Sequence, residues 1–155
     1  MTNRLITIII GIIVSLSAHA QKNTYTGFPS LVWPKLYDIH FVKGADKLGE
    51  FDKPIFSEAA KSLSGKNITL PGYIVPFENG VKNSSHFMFS SMPLNACFFC
   101  GVGGPESAVE VFLKEAIKYS YKPVEIKGVL KLNDKDPDKM IYVLEGAEVI
   151  GEVEF

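Results

Sequence analysis

The chain has 155 residues, two of them cysteine, with a formal net charge of -1 at pH 7. A near-neutral surface whose single arginine, Arg4, lies at the extreme N-terminus argues against nucleic-acid binding, which selects basic patches. Without arginine elsewhere the chain also lacks the bidentate fork generally used for phosphate, so phosphoryl transfer is disfavoured.

The first twenty residues read as an export signal. Arg4 supplies the positive n-region, Leu5 to Leu16 an apolar run, and Ala18-His19-Ala20 a small-x-small cleavage pattern before Gln21. The run is short for a bilayer span, which takes about 20 apolar residues, so no stable membrane insertion is expected. The expected location is periplasmic. Residues 21–53 read as a leader with a first strand near Ile39 and Phe41, where Pro34 breaks any helix and Lys43 to Lys53 forms a polar loop. Residues 54–155 read as one domain. Pro54 opens a short N-terminal helix, Ile55 to Leu63, and Gly65 ends it.

Asn67 to Phe77 then reads as a strand kinked at Pro71-Gly72, and Glu78 to Ser85 as a hairpin loop. His86 to Met92 is a second strand, with Phe87 and Phe89 on one face and His86 and Met88 on the other. Pro93 to Pro105 is a loop. Val109, Phe112, Leu113, Ala116 and Ile117 fall at helical spacing and predict one long helix after Pro105. Val124 to Leu132 and Met140 to Ile150 are further strands around a charged turn, Asn133 to Lys139. The expected class is α+β: a small antiparallel, partly open barrel of the oligonucleotide/oligosaccharide-binding type, with strand bends at Gly72 and Gly128.

The chemically distinctive segment is Cys97-Phe98-Phe99-Cys100-Gly101, inside the loop before Pro105. Cysteines at i and i+3 can turn both sulfurs to one soft ion, and zinc is the metal this spacing suits. A second Cys-x-x-Cys pair is missing, so the remaining ligands would come from His86 or Glu106, with His40 a weaker candidate. A structural disulfide, a redox-active pair and inert thiols stand as alternatives. His86 on a strand face also has the plainer reading of a structural residue. No catalytic triad, H-E-x-x-H or phosphate-binding glycine loop is present, so no reaction is indicated.

Leu63 to Pro76 (LSGKNITLPGYIVP), Cys97 to Glu106 (CFFCGVGGPE) and the VEIKGVLKL stretch from Val124 resemble a bacterial family known as domain of unknown function 3299 (DUF3299). The resemblance implies a small exported protein. It implies metal handling beside a membrane transporter or another periplasmic protein, with Cys97 and Cys100 as the family's paired cysteines. It also makes Gly72 and Pro76 a structural turn. The chain departs from lipoprotein members in having no anchoring cysteine.

Overall fold

A computed structural model describes residues 25, 27–46, 49–78, 82–93 and 103–153. Among the described residues, two short helices, α1 (Trp33–Leu36) and α2 (Glu58–Lys61), accompany seven strands. A hairpin of β1 (Ile39–Asp46) and β2 (Gly49–Phe56) stands apart from a five-stranded sheet. That sheet comprises β3 (Asn67–Val75), β4 (Asn83–Ser90), β5 (Ala108–Lys118), β6 (Val124–Leu132) and β7 (Tyr142–Glu152). These five close into a barrel in the order β3-β4-β5-β7-β6. The expected partly open barrel is therefore closed. The pair β5 and β7 is parallel, and the other neighbours are antiparallel.

Closure depends on β3 changing partners. Its residues Asn67 to Gly72 pair with β6, and Tyr73 to Val75 pair with β4. The change falls beside Gly72, where an added Cβ would meet the Ser90 carbonyl oxygen at 2.5 Å. Gly72 is needed for close approach, because a side chain there would push β3 off β4. Gly128 on β6 lies in a register irregularity between Lys127 and Val129, and an added Cβ there would meet Leu144 at 2.8 Å. Both glycines, which the sequence marks as bends, thus sit where neighbouring atoms leave no room for a side chain.

The largest correction concerns the long helix. Residues 108 to 118 form β5, and Pro105 opens only a three-residue 3-10 turn, Pro105–Ser107. Val109 and Val111 are fully buried with Phe87 and Phe89 in the barrel core. Val-Glu-Val-Phe satisfies a period of two as well as the 3.6-residue stripe, and β-branched Val109 and Val111 favour the pleated choice once a neighbouring strand offers hydrogen bonds.

A second correction concerns the polar loop expected over Lys43 to Lys53, which is the tip of the β1–β2 hairpin. Its cross-strand pairs run from Ile39 with Phe56 to Asp46 with Gly49. Nor does Pro34 prevent a helix. It lies at the start of α1, where its missing N–H costs no hydrogen bond. The Ser30 hydroxyl accepts from the amides of Val32 and Trp33 at that end. The short helix expected over Ile55 to Leu63 contracts to α2, capped by the Ser57 side chain accepting from the Ala60 amide, and Gly65 (φ 76°) follows it.

α1 closes one end of the barrel. Trp33 and Leu36 are fully buried, the Trp33 indole N–H donates to the Pro71 carbonyl at 2.7 Å, and the Tyr142 hydroxyl donates to the Leu36 carbonyl at 2.6 Å. Among the described residues, no helix is long and apolar enough to cross a membrane.

Candidate functional site

Cys97 and Cys100 lie outside the described residues. The two ends of their loop are well defined. Ser90 of β4 pairs with Ala108 of β5, and just beyond that pair the Ser91 amide and hydroxyl both donate to the Ser107 carbonyl, at 3.0 and 3.2 Å. The Ser107 hydroxyl donates to the Gly104 carbonyl at 2.7 Å, and the hydroxyls of Ser91 and Tyr37 bond each other at 2.8 Å. This serine clasp joins the described residues on either side of 94–102 at the end of the barrel that α1 covers.

Glu106 sits inside the clasp. It is 5% exposed, and among the described residues its carboxylate has no ion-pair partner. Its charge is felt by two buried phenols. Burial chiefly, and then the Glu106 carboxylate, push Tyr142 above its ordinary range. Tyr37 is raised for the same two reasons, with the Ser91 hydrogen bond opposing.

His86 belongs to a different place. It lies on the outer face of β4, and its Nε2 is 2.7 Å from Glu110 Oε1. The Glu110 side chain is 7% exposed, against 46% for His86, and its Oε2 accepts from the Met140 amide at 3.0 Å. The imidazole stacks on Phe112 (centroids 4.3 Å apart, planes 12° apart) and lies tilted against Phe77 at 4.8 Å. The ring thus packs against two aromatic rings and bonds Glu110 at one edge. With the Glu110 carboxylate accepting, Nε2–H is the donor, and in the neutral ring the lone pair is then on Nδ1.

The sequence-derived candidates therefore separate. Glu106 faces the barrel end beside α1, while His86 is bonded to Glu110 on the outer wall, and His40 is exposed on the β1–β2 hairpin. Among the described residues, no three His, Cys, Asp or Glu side chains converge on one point. Glu110 escapes sequence reasoning because it lies 24 residues from His86 and the helical reading of its segment hides the pairing. The signal that finds it is the alternation Val109-Glu110-Val111, which as a strand turns Glu110 outward.

The model of a family described as protein of unknown function (DUF3299) matches residues 46–149. The chain belongs to that family. No curated protein and no solved structure matches it. The family match begins inside the hairpin and takes in the barrel as far as Val149 of β7, so Ser91, Ser107, Glu106 and the His86–Glu110 pair all lie in the DUF3299 segment.

Proposed function

We propose that this DUF3299 chain is an exported, periplasmic accessory protein that binds a soft, zinc-like transition metal through Cys97 and Cys100. The observation that supports this reading is Glu106. A carboxylate 5% exposed, with no ion-pair partner among the described residues, stands at the exit of the cysteine loop. Buried charges are paired or coordinate metals, and two thiolates with one carboxylate make a three-ligand site with an open position. Such a site suits transfer or delivery of the ion to a partner, for which the family resemblance suggests a membrane transporter or another periplasmic protein. His86 becomes the weaker candidate for completing this set, because its Nε2 is already engaged by Glu110.

Elemental analysis of the reduced, purified protein tests the reading. One equivalent of metal is expected, lost in Cys97→Ser and in Cys100→Ser and weakened in Glu106→Gln. Substoichiometric metal unchanged by Cys97→Ser overturns it.

A second reading is a non-catalytic binding module with the cysteines as a disulfide staple. The strand order favours it. Counting only barrel strands, the order is first, second, third, fifth, fourth with a parallel third–fifth pair, which supports reading the sheet as an oligonucleotide/oligosaccharide-binding barrel. In that type the outer face of the second and third strands carries ligand, and here that face is β4–β5. This reading predicts that reduction lowers thermal stability while added metal leaves it unchanged.

A further inference from the structure

Beyond Met1 the chain has three methionines, Met88, Met92 and Met140, and two of them gather around the same carboxylate that holds His86. Met88 is the cross-strand partner of Glu110 and lies two residues from His86 on the same strand. Met140 donates its amide to Glu110 Oε2 and packs its side chain against Val75, Met88 and Ala108. These residues form a small apolar cluster separate from the barrel core. One imidazole, two thioethers and one buried carboxylate therefore share a patch on the outer face of β4–β5. The imidazole packs against Phe77 and Phe112. Its Nε2–H is given to a carboxylate, which fixes the tautomer and makes Nδ1 the better donor.

We infer that this patch is a binding site for a monovalent soft cation of the Cu(I) class, held by His86 Nδ1 and the thioethers of Met88 and Met140. Thioether sulfur is a weak ligand for zinc, calcium or magnesium and selects soft monovalent ions. Glu110 does not ligate. Both its oxygens are already engaged, and its charge offsets the cation through the imidazole. Half-exposed His86 and half-buried Met140 form the entrance, while Met88 lies beneath at 1% exposure. The general use of methionine as a flexible gap-filler in cores explains Met88 by itself. It does not explain why a second methionine and an oriented imidazole meet it on the outer wall. The site stands apart from the cysteine loop, so it neither needs the reading proposed above nor supports it.

The probe is Ag(I), a redox-stable stand-in for Cu(I), titrated into the chain carrying Cys97→Ser and Cys100→Ser and followed by methionine-methyl and imidazole-nitrogen NMR. One equivalent is expected to shift the Met88 and Met140 methyls and His86 Nδ1, leaving the Met92 methyl in place. Met88→Leu and Met140→Leu, which nearly conserve volume, are each expected to weaken binding at least tenfold, and Glu110→Gln severalfold. Unmoved Met88 and Met140 methyls at saturating Ag(I), or a Met88→Leu/Met140→Leu double variant binding within twofold of its parent, overturn the inference. If a leucine variant does not fold, the methyl shifts of the parent decide alone. Zinc lost from the parent chain by Cys97→Ser, with these shifts absent, upholds the cysteine site and removes this one. The reverse pattern does the opposite.

Discussion

The β1–β2 hairpin and the barrel are both antiparallel β-structure, yet they are held together differently. In the hairpin Val42, Phe51 and Ile55 keep between 41% and 47% of their surface exposed, and the pair Lys43–Asp52 lies in solvent. In the barrel Phe87, Phe89, Val109, Val111, Ile126 and Leu144 are fully buried. A two-stranded ribbon has one face too few to dry itself, so it persists through its ladder and its anchored base, where Phe56 meets Tyr142 at 5.6 Å. A closed sheet buries an entire inner face and has no free edge. Strand content alone therefore says little about where stability resides. The side-chain environment decides it.

The sharpest way to break this comparison is Phe87→Ala. Emptying a fully buried aromatic site is expected to cost about 3–5 kcal/mol, read as a lower urea midpoint, whereas Phe51→Ala in the hairpin is expected to cost under about 1 kcal/mol. Equal effects would show that the hairpin is as much part of the core as the barrel. Gly72→Ala comes next. Its Cβ would approach the Ser90 carbonyl at 2.5 Å, and the forced separation of β3 from β4 is expected to cost about 1–3 kcal/mol.

Trp33→Phe keeps most of the packing but leaves the buried Pro71 carbonyl without its 2.7 Å donor, an expected loss of about 1–3 kcal/mol. Thermal melting at neutral pH measures it. At alkaline pH the buried Tyr142 phenol supplies a further contrast. Its folded-state pKa lies above the ordinary value of 10.0, chiefly through burial. Its contribution is therefore complete below about pH 10 and lost as the pH rises past it, because the unfolded chain ionises first. Tyr142→Phe is expected to flatten the fall in stability above pH 10, measured by denaturant midpoints across pH 9 to about 11.5. Smallest of all, Lys43→Ala removes an exposed ion pair and is expected to change the melting midpoint by less than about 0.5 kcal/mol equivalent.

Much of the barrel was legible in advance. The expected strand over Val124 to Leu132 coincides with β6, and Asn67 to Phe77 overshoots β3 by two residues. Ile126 and Leu130 alternate with Lys127 and Lys131, so the period of two is unmistakable there. β5 was misread because Val109, Phe112, Leu113 and Ile117 also satisfy a helix, and a short apolar run carries both periods at once. The strand expected near Ile39 and Phe41 is the start of β1, but the rest of β1 and all of β2 are hidden because Lys43, Glu50, Asp52 and Lys53 break the hydrophobic alternation of a ribbon exposed to water. Of the candidate site residues, His86 was correctly placed on the strand face opposite Phe87. Glu106 lies on a buried 3-10 turn, not at the start of the long helix expected there.

By itself the sequence determined that β3, β4, β6 and β7 are extended, where Gly72 and Gly128 let strands bend, and which face of β4 is apolar. These are properties of neighbours along the chain, set by sterics and by a side-chain period of two. Tertiary structure alone decided that β3 changes partners at Gly72, that Glu106 is buried beside Tyr37 and Tyr142, and that Glu110 grips His86 from 24 residues away. Alternation tells which way a side chain points but not which strand lies beside it. That choice follows from closing the whole sheet around one core.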